Sequence, residues 1–111
     1  MTKVIMNGCN GKMGQTITEI CKADADIEIV AGIDLYDGIE NDYPVFSSLQ
    51  ECTAEADVII DFSNAKAVDE LLKYGVEKQI PIVLCTTGLS EEQLSEVEKA
   101  YEKTAILKSA N

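Results

Sequence analysis

The sequence has 111 residues, 46% hydrophobic and 26% charged, an ordinary globular composition with room for one domain. Nine basic residues against twenty acidic ones leave a net charge of −11, which excludes nucleic-acid binding driven by counterion release and disfavours anionic membrane surfaces. No run approaches the roughly 18 apolar residues of a membrane span, and the N-terminus enters an apolar run at once without a leader-like segment, so a cytoplasmic location is expected.

In chain order, Lys3 to Met6 reads as a buried strand ending at Asn7-Gly8. Met13 to Ala23 reads as a helix, with Met13, Ile17, Ile20 and Cys21 at the spacing of one apolar face. Ile27 to Ile33 is a second strand closed by Asp34, and a turn-rich stretch follows from Tyr36 to Asn41. Tyr43 to Phe46 allows a short strand, and Ser48 to Cys52 a brief helix. Val58 to Phe62 is apolar on both faces, as a central strand of a parallel sheet must be. Ser63 or Asn64 can cap a helix from Ala65 to Lys78, whose stripe is Val68, Leu71, Leu72 and Val76. Pro81 to Cys85 is the next strand. Ser90 and Gln93 have capping-box spacing for a helix running to about Lys103. Thr104 to Lys108 is the last strand, and Ser109-Ala110-Asn111 follow it.

Strands alternating with helices predict right-handed β-α-β units and an α/β fold. The expected class is a Rossmann-like, doubly wound parallel sheet in three α/β/α layers. Its four cysteines, Cys9, Cys21, Cys52 and Cys85, form no C-x-x-C pair and have no His beside them. They read as reduced thiols used as small apolar residues, and no metal site is expected.

Chemistry concentrates in Gly8-Cys9-Asn10-Gly11-Lys12-Met13-Gly14, a G-x-x-G-x-x-G loop between the first strand and first helix. In such a loop the first Gly turns the chain, and the second admits a pyrophosphate where a Cβ would collide. The third is expected to let the helix pack closely on the sheet. Amides of the first helical turn then face the phosphates, and Lys12 adds a mobile positive charge. Asp34 lies twenty residues beyond Gly14, where a carboxylate can accept the ribose hydroxyls of an adenosine. Leu35 and Tyr36 after it are not basic, so NADH is expected to be favoured over NADPH, whose 2′-phosphate would meet the carboxylate. Asp61-Phe62-Ser63 and Cys85-Thr86-Thr87-Gly88 lie at strand ends where ligands of open sheets collect. The first is expected near the adenine or as a plain cap, the second near the nicotinamide.

These motifs, with Ser109-Ala110-Asn111, resemble the N-terminal domain of the 4-hydroxy-tetrahydrodipicolinate (dihydrodipicolinate) reductase family over the whole chain. The resemblance implies a pyrophosphate site at Gly8, Cys9, Asn10, Gly11, Lys12 and Met13, and a ribose site at Asp34. It places Cys85, Thr86, Thr87, Ser109, Ala110 and Asn111 at the nicotinamide end. It also implies hydride transfer from NADH or NADPH in lysine and diaminopimelate biosynthesis, no catalytic residue within this chain, and no turnover by these 111 residues alone. The proton-donor and substrate-binding groups would belong to a C-terminal α+β substrate domain that also builds a homotetramer, so the fold is expected to be truncated before it. Two positions depart from the family pattern: Cys85 stands where Gly is frequent, and Leu35 where some members carry Arg. The alternatives are the NAD-binding domain of another amino-acid or sugar dehydrogenase, and a non-catalytic nucleotide- or coenzyme A-binding module. Asp34 argues for a free ribose 2′-hydroxyl and so against coenzyme A.

Overall fold

The computed structural model describes residues 1–36, 38–86 and 88–108. Six strands, β1 (Thr2–Asn7), β2 (Ile27–Ile33), β3 (Val45–Phe46), β4 (Val58–Asp61), β5 (Ile82–Leu84) and β6 (Ile106–Lys108), form one sheet in the order β3-β2-β1-β4-β5-β6. Every pairing is parallel, and the order reverses direction at β1 and β4. That reversal opens a crevice at the carboxyl ends of the two central strands, where doubly wound sheets bind ligands. The expected three-layer class is what forms.

Three helices of eleven residues each, α1 (Lys12–Lys22), α2 (Val68–Lys78) and α3 (Glu91–Tyr101), cover the sheet. Side chains alternate along each strand, so the two faces carry separate cores. On the back face Ile5, Ile33, Ile59, Ile82, Leu84 and Ile106 pack with Leu71 and Leu72 of α2 and Val97 and Ala100 of α3. The front face is smaller: Met6, Cys9 and Tyr43 are buried, with Ile17 of α1, Ile29, Val45, Ile60 and Phe62 packed on them. Among the described residues no helix is long and apolar enough to cross a membrane.

The front core thins along the sheet. Register places Met6, Ile60, Val83 and Leu107 in one row across β1, β4, β5 and β6. Met6 is fully buried beside α1, Ile60 and Val83 are half-buried, and Leu107 is 66% exposed. The cause is topological: the connections β4-α2-β5 and β5-α3-β6 both place their helix behind the sheet. Among the described residues only α1 lies in front, over β1 and β2.

One expectation about α1 is corrected. Met13 is 51% exposed and Ile20 is also exposed, while Gly14, Thr18 and Cys21 are buried. The helix thus presents a face of small residues with Ile17, rather than the apolar stripe read from the sequence. Thr18 is buried because its hydroxyl shares a 3.0 Å hydrogen bond with the Tyr43 phenol, which offsets the cost of taking both from water. The stretch before α2 is a tight 3₁₀ turn, Ala65–Ala67, capped by Asn64, whose side chain accepts from the Lys66 amide at 3.0 Å. The Ser90–Gln93 capping box forms in full at the start of α3.

Candidate functional site

The glycine loop leaves β1 at a residue that only glycine suits. Gly8 has φ +86°, and a Cβ there would lie 2.7 Å from the Phe62 carbonyl oxygen. The loop amides are then used up one by one. Those of Gly8 and Cys9 both donate to the Ile33 carbonyl, at 2.7 and 3.3 Å. The Asn10 amide donates to Asp34 Oδ2 at 3.0 Å, and that of Gly11 to the Gly8 carbonyl at 3.2 Å. Here the pattern stops: among the described residues the amides of Lys12, Met13 and Gly14 have no acceptor.

These three amides form the first turn of α1, where the helix dipole places partial positive charge. Gly11 is the N-cap in extended conformation, with no side chain to cap the turn and no acidic residue in it. The contrast with the other helices is informative. The first turn of α2 carries Asp69 and Glu70, and that of α3 carries Glu91 and Glu92 below the Ser90 cap. Only α1 leaves its positive end uncompensated by its own residues. A Cβ built on Gly11 would meet nothing closer than the Gly8 carbonyl oxygen at 3.5 Å, an ordinary contact. The protein itself therefore has no steric need for glycine at this position, and the space above it suits the close approach of an anion.

Gly14 has a different role from the one expected. A Cβ there would lie 2.2 Å from the Gly8 carbonyl oxygen and 2.8 Å from the carbonyl carbon and Cα of Cys9. It lets the helix seat against the loop itself rather than against the sheet.

Asp34 closes the far side. Its Oδ2 accepts from Asn10 and its Oδ1 from the Tyr36 amide at 3.0 Å, which ties the end of β2 to the glycine loop. Each oxygen keeps a lone pair, so the half-buried carboxylate can still accept hydroxyls from a ligand. Asn10 braces the same region from within: its side chain donates to the Tyr36 carbonyl and accepts from Asn41 at 2.7 Å. Its carbonyl accepts from Gln15 at 3.0 Å. Lys12 is exposed at the helix start, and Leu35, beside Asp34, is 87% exposed.

Cys9 points away from the crevice. Its thiol is buried with Met6 and Tyr43, under a position where Gly32 leaves room for it. Burial, then the Asp34 charge, push its pKa from 9.0 up to about 11. It contributes a backbone turn and an apolar filler, and its thiol stays protonated at neutral pH. In the unfolded chain that proton is lost first, so Cys9 leaves stability intact below about pH 9 and erodes it as pH rises toward 11. Burial shifts Tyr43 in the same direction. Denaturant midpoints measured from neutral pH to about pH 10 should fall, and a flat profile would contradict the burial of these groups.

The strand-end motif Asp61-Phe62-Ser63 does not present the surface the sequence had indicated. Phe62 packs on the front core and Asp61 is fully buried. Its Oδ1 accepts from Asn7 Nδ2 at 2.9 Å and from the Ser63 amide and hydroxyl, at 3.2 and 2.5 Å. Its Oδ2 accepts from the Thr86 hydroxyl. Thr86 is only 6% exposed, so its hydroxyl is turned into the protein rather than toward a ligand. Cys85 is half-buried, its amide donating to the Asp61 carbonyl at 3.0 Å. Its thiol pKa is raised by burial and by the Asp61 charge. Among the site residues read from the sequence, Thr87, Ser109, Ala110 and Asn111 lie outside the described residues. Asp61 and Asn7 were missed as members of the cluster, because an acid at a strand end looks identical whether it turns inward or outward.

A concavity of about 900 Å³ lies elsewhere, between α2 and α3. Its apolar floor of Leu72, Val76 and Ala100 is rimmed by Lys73, Lys99 and Glu96. This open furrow between two helices lacks the converging amides of the crevice, which is the better chemical site.

The family model for the N-terminus of dihydrodipicolinate reductase matches residues 2–111. The chain belongs to this family. Dihydrodipicolinate reductase N-terminal domains are pyridine-nucleotide-binding domains, so a nicotinamide dinucleotide is the ligand class of this one. The 4-hydroxy-tetrahydrodipicolinate reductase of Caldanaerobacter subterraneus subsp. tengcongensis is 45% identical over 111 residues, covering all of this chain and 44% of that protein. That of Clostridium tetani is 44% identical over the same span, again covering 44% of the relative. The dipicolinate-bound dihydrodipicolinate reductase from Paenisporosarcina sp. TG-14 superposes with a TM-score of 0.86 at 26% identity, covering all of this chain and 48% of that one. The chain thus spans less than half the length of the reductases it matches.

Proposed function

We propose that residues 1–111 are the nucleotide-binding part of a 4-hydroxy-tetrahydrodipicolinate reductase acting in lysine and diaminopimelate biosynthesis. The observation that carries the site assignment is the triplet of uncommitted amides, Lys12 to Gly14, beneath a glycine the protein itself does not require. In this reading those amides and Lys12 hold the pyrophosphate, and the backbone from Gly8 to Met13 shapes its seat. Asp34 accepts the adenosine ribose hydroxyls. Cys85, Thr86 and Thr87, with Ser109, Ala110 and Asn111, line the nicotinamide end, contributing backbone groups where their side chains turn inward. The bound nicotinamide supplies the hydride for an unsaturated carbon of a dicarboxylated ring. The chain's own residues hold and orient the dinucleotide, while substrate-binding and proton-donating groups, and the contacts of a homotetramer, belong to a domain outside these residues.

NADH is the preferred dinucleotide. A 2′-phosphate would be placed against Asp34, next to Leu35 rather than a base, in a chain whose nine basic residues are all lysines. Like charge at such short range disfavours it. Calorimetric titration should give an NADPH dissociation constant at least about tenfold weaker than that of NADH, or 1.4 kcal/mol. Equal or tighter NADPH binding would overturn the ribose role of Asp34.

A further inference from the structure

We infer that Asp61 is a positioning residue that fastens the Thr86 loop to the strand bearing the glycine loop, and so sets where the nicotinamide lies; this rests on the nucleotide reading above. Asp61 ends β4 at the point where the sheet order reverses, with β1 on one side and β5 on the other. Its four donors come from all three strand ends: Asn7 closing β1, Ser63 just past β4, and Thr86 just past β5. No cation accompanies it; among the described residues its carboxylate is met by neutral donors alone. Burying a carboxylate is costly, and an apolar side chain of similar volume would fill the space with less penalty. What an apolar residue cannot do is hold three loops in one register.

The neighbouring geometry extends the coupling. The Phe62 carbonyl lies against Gly8 so closely that a methyl group would not fit between them, and the Cys85 amide hangs from the Asp61 carbonyl at 3.0 Å. Through its backbone and side chain together, Asp61 thereby joins the pyrophosphate turn to the loop two strands away. Thr86 is the separable link. Among the described residues its hydroxyl reaches Asp61 alone, so removing it should free the nicotinamide-side loop while leaving the glycine loop in place.

The test uses the 111-residue chain with two probes, NADH and ADP-ribose, which share the pyrophosphate and adenosine but differ in the nicotinamide. Wild type is expected to bind NADH more tightly than ADP-ribose. Thr86→Val, which keeps the shape and loses the hydroxyl, should weaken NADH about tenfold, the scale of one charge-assisted hydrogen bond. ADP-ribose should change by no more than about twofold, within the scatter of a surface substitution. Thr86→Ser should restore NADH binding, and Asp61→Asn should match Thr86→Val without adding to it in the double variant. If Asp61→Asn does not fold, the Thr86→Val and Thr86→Ser pair decides. The inference is overturned if Thr86→Val leaves the ratio of the two affinities unchanged, including a parallel loss of both, or if wild type itself shows no difference between the probes. A folded wild type that binds neither probe would instead defeat the nucleotide reading as a whole.

Discussion

Gly14→Ala is expected to lower the melting temperature by roughly 10 °C. The new Cβ would sit 2.2 Å from the Gly8 carbonyl oxygen and 2.8 Å from the Cys9 backbone. Both obstacles are main chain, so no rotamer change relieves them, and the loop must part from the helix. Alanine is a better helix former than glycine by about 1 kcal/mol, which opposes the loss. Overpacking against a fixed backbone costs about 1–3 kcal/mol or more, and in a domain of this size each kcal/mol is about 4–8 °C. The clash wins. Thermal unfolding followed by circular dichroism measures the outcome, and an unchanged midpoint would show that the helix does not seat on the loop as described.

Gly11→Ala should do the reverse: leave the fold standing and lower nucleotide affinity by at least about tenfold. Its backbone, φ −72° and ψ 169°, is open to any residue, and the nearest protein atom to the added carbon is 3.5 Å away. The stability change is therefore the small one of losing a glycine N-cap, about 1 kcal/mol or less. The methyl group would project into the space above the free amides of Lys12 to Gly14, where a pyrophosphate has to make contact. Calorimetry with NADH beside a melting curve separates the two effects. Unimpaired binding by the folded variant would mean that the phosphates lie somewhere other than over this turn.

Much of the architecture was legible because it follows from local rules. Apolar runs bounded by turn residues located every strand, and the Ser90–Gln93 spacing located the start of α3 to the residue. The glycine triplet between strand and helix identified the loop. Roles that depend on what a side chain meets across the fold were less visible. Met13 and Ile20 share a helical face with Ile17 on paper, yet the face that turns to the sheet is set by how tightly Gly14 must approach Gly8. Thr18 is buried because its hydroxyl meets Tyr43, a partner far along the chain that no local pattern announces. Ser63 and Thr86 read as ligand-facing hydroxyls because strand ends usually carry them; the Asp61 carboxylate that draws both inward is visible only in the fold. Gly8 and Gly11 carry the same letter, but one is demanded by a positive φ and a neighbouring carbonyl, the other by nothing in the protein.

The bare row that ends in Leu107 makes solution behaviour depend on charge as much as on packing. Among the described residues β6 is an edge of the sheet, so an oily flank and a hydrogen-bonding rim meet at one corner, the combination through which strands of separate molecules adhere. With a net charge of −11, two copies repel before those corners touch, over a distance of about 8 Å at physiological salt. Acid that neutralises the carboxylates, or salt that shortens that reach, withdraws the repulsion and leaves the corner sticky. The excess of Asp and Glu that excludes nucleic acid as a partner is also what keeps its neighbours at arm's length.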